Sequence, residues 1–480
     1  METIIQQILA NLTKEIMEYL TGGGINNIGK ASKDMMIMLT RAAHQILRAV
    51  IREMDQTLRN SKSLRKEDGW TIKEKDVKRQ YLLSTGEFEY ERTYYENSKT
   101  KERIYLIDHL IGVEGSTRMS REIEAELVNN AAEKSYAKSS ASVCDGVLSR
   151  QTVRNKLLDV SEVAYLPEKR EATPRELHIF ADEDHVHMQP EHKGVSKKKG
   201  EIVRLITTSE GLKKVCKGRN ELISPMHFEG YRMTPLKQWE YVQAVLTKIY
   251  DMDKVEIIWI HGDGDLWIKT GLAMFPNARP VIDMYHLNKY MNILGSGPGD
   301  GAGPKLWWTL RKNRIDEFAV FIDQIIDKIP QYYKDEKTQN DKQKKINKAA
   351  SYIRANWEGI QNRLNAVEVG SCTEPLISHI LSERLSRNPM GWSKNGLSKM
   401  AMIRVYTKNG CSVNEDDVRG RERKVITSIK KYDTLIEGQL ESMTKDVHNW
   451  EWLKPDSYTN GKTTGTSVLL RSYGRINDVC

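Results

Sequence analysis

The stretch Leu177-His-Ile-Phe-Ala-Asp-Glu-Asp184 runs from an apolar block straight into three acids. A short apolar block followed by polar residues reads as a buried strand that ends at the edge of a sheet. Asp182 therefore stands where a strand meets solvent. Strand alternation puts Asp184 on the same face and His185 and His187 on the opposite one.

Further β-rich runs occupy Ile202 to Thr208, Val255 to Ile260 and Pro280 to Ile282, while Lys237 to Tyr250 and Leu266 to Phe275 carry helical periodicity. This order, two or three strands and then helix, strand, helix, strand, helix, predicts an α/β core: a mixed sheet flanked by helices. The glycine-rich segment from Gly295 to Pro304 lacks the GxxxxGK-Ser/Thr phosphate loop, so no nucleotide site is expected there. A hinge into a polar, all-helical insertion from Leu306 to Ala366 is expected instead.

Two more acids are placed like Asp182. Asp263 follows Ile-Ile-Trp-Ile-His-Gly, and Glu374 opens the helix Glu-Pro-Leu-Ile-Ser-His-Ile-Leu. Adjacent strands share an edge and a helix can pack beside them, so the three carboxylates can converge although far apart in sequence. Carboxylates are the hard oxygen ligands that Mg²⁺ prefers, at about 2.0–2.1 Å. Two ions about 3.5–4 Å apart suit in-line phosphoryl chemistry. Each acid alone is ordinary, since turn chemistry places Asp at strand ends and the helix dipole places Glu in first turns. Glu183, Asp184, Asp265 and Glu383 stand nearby as rivals, and residue chemistry alone does not choose Asp182 over Asp184. A zinc site from His185, His187 and His192 is disfavoured, because alternation turns the first two away from Asp182.

Outside this core, residues 1–64 place apolar side chains at helical spacing (Ile4, Ile5, Ile8, Leu9, Leu12, then Met35, Met38, Leu39, Ala42), broken by Gly22-Gly-Gly24. Core or dimer-contact helices are expected. Trp70 to Tyr95 alternates aromatic or β-branched residues with charges around a turn, which predicts a hairpin. Its aromatic and basic residues either pack across the strands or lie along a nucleic-acid backbone. From Ala131 to Val160, a helix reaching Asp145, a turn at Gly146 and a second helix capped by Ser149 make a helix-turn-helix-like pattern. Arg150, Gln151 and Arg154 open the second helix and would reach base edges or phosphates. An ordinary helical pair reads the same way.

Lys193-Gly-Val-Ser-Lys-Lys-Lys-Gly200 tips a hairpin, and Lys197, Lys198 and Lys199 either grip DNA phosphates without sequence preference or stand in a solvated loop. Trp307, Trp308, Trp357 and Trp392 either pack or stack on unpaired bases.

The chain's 480 residues exceed one core, so several units are expected. With 74 Lys plus Arg against 65 Asp plus Glu, the net charge of +9 suits a polyanionic partner or simply a basic soluble protein. Five scattered cysteines without a CxxC pair signal neither zinc finger nor disulfide framework, which predicts a reducing, cytoplasmic setting. No leader and no run of about 18 apolar residues is read, so no membrane is expected.

Four segments carry a family resemblance. Ala181-Asp-Glu-Asp-His-Val-His-Met-Gln189, Gly262-Asp-Gly-Asp-Leu-Trp-Ile268, Val281-Ile-Asp-Met-Tyr-His-Leu-Asn-Lys289 and Gly370-Ser-Cys-Thr-Glu-Pro-Leu-Ile-Ser-His379, continued by Pro389-Met-Gly-Trp-Ser393, resemble the ISLre-type bacterial insertion-sequence transposases. The likeness runs from roughly Trp70 to Tyr406. More distantly the chain is similar to the Mutator-like group, in which strand-Asp, Asp-Gly, (Cys or Asp)-x-x-His, a helical insertion and a helix-borne Glu follow in order.

The resemblance implies a DDE transposase on an RNase-H-like core, with Asp182, Asp263 and Glu374 as the catalytic, metal-binding acids and Asp283 and His286 as the Asp-x-x-His element. Mg²⁺, or Mn²⁺ in its place, would be the cofactor. Hydrolysis at element ends and transfer of the 3′-hydroxyl to target DNA would follow, carried out by a homo-oligomer on double-stranded DNA in the bacterial cytoplasm, at the nucleoid. His286 is read as bonding a catalytic carboxylate or a scissile-strand phosphate, or as capping its helix.

The expected segments are helices in 1–64, a small β unit and linking helix in 65–130, the helix-turn-helix-like segment in 131–170, the first part of the core in 171–292, the insertion in 293–369, the Glu helix in 370–408 and a polar region in 409–480. A structure-specific nuclease on the same core and a catalytically silent, transposase-derived DNA-binding protein are the rivals.

Overall fold

The computed structural model describes residues 2–113, 115, 117–190, 200–216, 219–298, 301–367, 369–388, 390–418 and 429–448. The chain forms two compact units, one of Met1–Ile123 with Gly420–Cys480 and one of Glu124–Arg419.

In the first unit, α1 (Glu2–Thr21) and α2 (Ile28–Asn60) pack together through Tyr19 with Asp34 and Arg41 with Glu15. The Asn27 side chain starts α2 by accepting the Lys30 backbone N–H. After α3 (Lys62–Glu67), β1 (Trp70–Leu83) and β2 (Gly86–Asn97) form the expected hairpin, β3 (Arg103–Ile104) adds an edge, and α4 (Leu106–Leu110) covers it. Trp70, Phe88, Tyr90 and Tyr95 are buried with Leu58, Leu106 and Ile107. Arg79 and Arg92 are buried as well; both bond Asp108, which also accepts the Tyr90 hydroxyl at 2.7 Å. The hairpin's aromatic and basic residues therefore pack against one another, which excludes these buried groups as a track for nucleic acid.

In the second unit, α5 (Arg121–Glu133) ends short of the helix expected across Ala131 to Asp145. Ser135 interrupts that helix: its hydroxyl accepts the Lys138 N–H and starts α6 (Tyr136–Cys144). A left-handed turn at Asp145-Gly146 then leads to α7 (Arg150–Asp159), capped by Ser149 as expected.

The core is a mixed sheet of five strands in the order β10-β9-β4-β5-β8. Its members are β4 (Glu176–His187), β5 (Gly200–Ser209), β8 (Met226–Glu229), β9 (Ile257–Gly262) and β10 (Ala278–Ile282). The hairpin of β6 (Leu212–Cys216) and β7 (Arg219–Leu222) stands apart from this sheet. β4, β5 and β8 pair antiparallel, whereas β4, β9 and β10 run parallel. Parallel neighbours need crossover helices, and these are α8 (Pro235–Ile249) and α9 (Leu266–Met274). Leu177, Ile179 and Ala181 on one face of β4 bury against Trp239, Leu246 and Ile268 of those helices. His178, Phe180 and Asp182 take the other face.

After α10 (Met284–Gly295) come α11 (Ala302–Arg311), α12 (Ile315–Asp327), α13 (Ile329–Tyr332), α14 (Glu336–Ala355) and α15 (Trp357–Asn365), which bury an apolar cluster around Phe318, Ile322 and Ile353 together with α10. Two glycines entering this helical block are closely packed: a Cβ on Gly295 would lie 3.2 Å from Gly303 Cα, and one on Gly297 would lie 2.4 Å from Ile325 Cγ2.

The chain then returns to the sheet in α16 (Thr373–Ile377), a π turn (Ser378–Ser382) and α17 (Glu383–Leu385), followed by α18 (Lys394–Lys408). Finally, α19 (Ile429–His448) belongs to the first unit, where Tyr432 and Ile436 join the core. Among the described residues no helix is long and apolar enough to cross a membrane.

Candidate active site

Strand register brings three acids level. Phe180 of β4 lies opposite His261 of β9, and Gly262 opposite Ile282 of β10. Asp182 lies inside β4, which pairs with β5 as far as His187, and not at the strand end that the sequence suggested. Continued one residue past the ends of β9 and β10, the register sets Asp182 beside Asp263 and Asp263 beside Asp283, at the roughly 4.7–4.9 Å spacing of neighbouring strands. Glu374, in the first turn of α16, joins them from the helix that packs beside β4.

Asp263 sits on a loop fixed from two directions. Its Oδ1 accepts the Asp265 backbone N–H at 2.9 Å, while the Tyr352 hydroxyl of α14 donates to its backbone carbonyl at 2.6 Å. Gly264 follows with φ of 87°, and a Cβ there would lie 2.4 Å from Asn356 Oδ1. The helical insertion thus abuts the loop of the second acid.

Asp283 is fully buried at the N-cap of α10. Its Oδ1 accepts the His286 backbone N–H at 3.0 Å, and its Oδ2 lies 2.7 Å from His286 Nδ1. That bond raises the His286 pKa, burial opposes the rise, and the charges of Asp283, Asp263 and Asp182 add to it. The ring that faces the acids is thus biased toward its protonated form.

Burial pushes the Asp182 carboxyl up to about 7; the Glu183 N–H on its Oδ1 counteracts this, and the charges of Glu374, Asp263 and Asp283 push it further up. Burial first, with Asp265 and Asp283 behind it, also raises Asp263, against the pull of the Asp265 N–H and His286.

The rival acids are placed differently. Asp184 accepts the Ser386 hydroxyl at 2.8 Å, beyond the end of α17, and its pKa is raised by burial against the hydrogen bonds of Ser386 and Ser382. Asp265 is exposed and precedes α9. Glu383 pairs with His379, Arg387 and Arg404. On β4, the Asp182 carboxyl feels the charges of Glu374, Asp263 and Asp283, while Glu183, raised first by burial, feels Asp265 and Asp263. His185 lies on the exposed side of β4, away from Asp182.

Among the described residues, no three His, Cys, Asp or Glu side chains already lie close enough to enclose an ion. The donor set nevertheless consists of hard oxygens, and the Asp182 pKa is raised by burial first and by the neighbouring carboxylates after it, a repulsion that a divalent cation relieves. It fits an open site completed by water and phosphate oxygens, not a closed cage.

Beneath the acids runs a buried network that no local sequence pattern announces. Arg363 of α15 donates to the carbonyls of Ile282 and Val369 and, at 2.7 Å, to His261 Nδ1. Since arginine only donates, His261 Nδ1 is the acceptor and its Nε2 carries the proton. Nε2 then donates at 3.1 Å to His178 Nδ1. Burial holds both histidines neutral, pushing His178 down to about 4. Polar residues amid apolar strand runs were the only available signal.

Of the expected DNA-contacting residues, Arg150 and Gln151 are exposed on α7 and Arg154 is half-buried, while Val153 and Leu157 bury the helix's other face. Lys197, Lys198 and Lys199, together with His192 and Lys193, lie outside the described residues. Trp392 is buried and donates to the Leu385 carbonyl, whereas Trp308 is 44% exposed beneath Arg314.

Residues 27–424 match the model of a family described as "Uncharacterised protein family (UPF0236)". A UPF0236 protein of Caldanaerobacter subterraneus subsp. tengcongensis, whose name joins eleven designations, is 35% identical over 478 residues, covering 98% of this chain and 94% of the relative. A second from that organism, with four designations, is 34% identical over 426 residues, covering 86% and 85%. A "UPF0236 protein in vanSb 3′region" of Streptococcus gallolyticus is 23% identical over 403 residues, covering 80% and 84%.

Proposed function

The chain belongs to the uncharacterised protein family UPF0236, and we propose that it is a DNA transposase of the DDE kind, as the ISLre-type resemblance implies. The observation that carries this reading is the register that sets Asp182 of β4 level with Asp263 and Asp283, which directly follow the adjacent parallel strands β9 and β10, with Glu374 returning beside them after a helical insertion. Three antiparallel strands followed by two parallel ones is also the sheet expected of an RNase-H-like core. Names that join eleven and four designations in one organism are what a mobile, multi-copy gene produces.

In this reading Asp182, Asp263 and Glu374 hold Mg²⁺, with Mn²⁺ able to replace it. When bound, the metal would supply Lewis-acid stabilisation of the leaving oxygen and an activated water or 3′-hydroxyl. Asp283 orients His286 and favours its protonated form, which would offer an Nε2–H to a phosphate oxygen of the scissile strand. Double-stranded DNA is the partner, Arg150, Gln151 and Arg154 contact the DNA of the element ends, and the protein acts as a homo-oligomer in the bacterial cytoplasm.

The test is an assay of the full-length protein on a plasmid carrying the DNA that flanks its gene on both sides. Strand-transfer products with Mg²⁺ are expected. Cut plasmid without joined products would point to a nuclease, and bound but uncut DNA to a silent DNA-binding protein.

A further inference from the structure

A cleft of about 630 Å³ opens between the α6–α7 pair and the segment after α17. Its wall includes Arg384, only 4% exposed. The Arg384 Nε donates to the Ala131 carbonyl at 2.8 Å, and its Nη1 reaches the Met390 sulfur at 3.5 Å. The guanidinium lies 5.4 Å from the centroid of the Tyr136 ring and 5.1 Å from that of Trp392.

Arg384 makes no ion pair with the described residues. Arg404, equally buried, bonds three carbonyls and pairs with Glu133. A buried charge without a counter-charge is costly, so Arg384 calls for an anion from outside. Glu133 at the rim acts on Arg384 only from a distance, its carboxylate being held by Arg404 and Lys408, and the Tyr136 side chain that bonds Arg384 carries no charge to balance it. Lys138, Arg150 and Arg154 line the same cleft and also lack an acidic partner among the described residues. Arginine forks match phosphate oxygens bidentately, and the half-buried Tyr136 offers a ring for stacking.

We propose that this cleft takes one unpaired nucleotide of a DNA strand, its phosphate on the arginines and its base against Tyr136. Cationic and aromatic walls around a volume of small-ligand size suit a single nucleotide, while a duplex is too broad to enter. The cleft is tied to the strand of the first acid: the Trp392 N–H donates to the His187 carbonyl at 3.0 Å, and the Gln189 N–H to the Trp392 carbonyl at 2.9 Å. Gln189 lies about 23 Å along the chain from Asp182 at about 3.3 Å per strand residue. A nucleotide held there would sit a few positions from the bond at the acids. The identity of the strand rests on the transposase reading; the binding itself requires neither acids nor metal.

The experiment measures fluorescence anisotropy of the full-length protein, in EDTA, with a labelled oligo(dT) 12-mer and with a duplex of equal length. A 2-aminopurine placed in the single strand reports stacking. Tyr136→Leu should weaken single-strand binding roughly 5- to 100-fold, the range of one base–aromatic stack, and abolish the 2-aminopurine quench. Duplex affinity should stay within about 2-fold. Lys138→Ala/Arg150→Ala, both exposed and safe for folding, should weaken single-strand binding and flatten its salt dependence. An unchanged quench in Tyr136→Leu, or equal losses on both probes, overturns the proposal. If Tyr136-dependent binding persists in a protein that never cuts DNA, the transposase reading fails and the cleft stands. Cleavage without Tyr136-dependent binding sinks the nucleotide cleft and leaves the transposase reading in place.

Discussion

His286 is held by Asp283 at two points, backbone N–H to Oδ1 at 3.0 Å and Nδ1 to Oδ2 at 2.7 Å. The pair fixes the tilt of the ring and raises its pKa, because a hydrogen bond to the carboxylate favours the charged ring. Asp283→Asn should therefore shift the His286 titration, followed by NMR and assigned with His286→Ala, to lower pH. His286→Ala should slow cleavage about 100-fold without weakening DNA binding. An unshifted titration in Asp283→Asn would mean that the fold, not the carboxylate, holds the proton.

Gly264 shapes the loop of Asp263. Its φ of 87° and the Asn356 side chain both oppose a Cβ. Gly264→Ala should cost about 1–3 kcal/mol in chemical denaturation and lower cleavage. The double variant with Asn356→Gly should recover only the part due to the clash.

Much of the core was legible in the sequence because short apolar runs and helical periods alternate there, so strands near Leu177, Ile202, Val255 and Pro280 and the helices between them follow from pattern alone. The β6–β7 hairpin was not, since Leu-Lys-Lys-Val-Cys and Arg-Asn-Glu-Leu have no apolar face to mark them. Nor was the difference between Asp182 and Asp184, which depends on what α16 and Ser386 bring back to β4 from far along the chain. The break at Ser135 was written in the sequence as a cap residue but masked by the helix formers around it. Long-range polar networks such as Arg363 with His261 leave no local pattern.

Arg363 is the donor that sets the tautomers of His261 and His178 and braces two carbonyls. Arg363→Met leaves buried acceptors unpaired, each at about 1–3 kcal/mol, and should lower stability by roughly 3 kcal/mol or more. Differential scanning calorimetry measures this; a loss below about 1 kcal/mol would show that water or a rearranged ring replaces the guanidinium.

Glu229 reports on the other end of the sheet. Burial pushes its carboxyl up to about 7 from 4.5, although Tyr231 donates its backbone N–H at 2.7 Å. The folded state holds a proton that the unfolded chain releases, so stability is lost as pH rises from about 4.5 through about 7. Glu229→Gln should raise stability at pH 8 by about 1–3 kcal/mol and change it little at pH 5. Equal gains at both pH values would trace the effect to packing.

The most direct test compares Asp182→Asn with Asp184→Asn, two acids on one face of one strand, in single-turnover cleavage of plasmid DNA with Mg²⁺. Of these two, Asp182 is the one whose carboxyl feels Glu374, Asp263 and Asp283, so Asp182→Asn should lose about 100- to 1000-fold in rate, the scale of a removed charge-stabilising group, with DNA binding intact. Asp184→Asn should remain within about 10-fold of the unaltered protein. Full cleavage by Asp182→Asn would contradict the assignment, and so would a loss confined to Asp184→Asn.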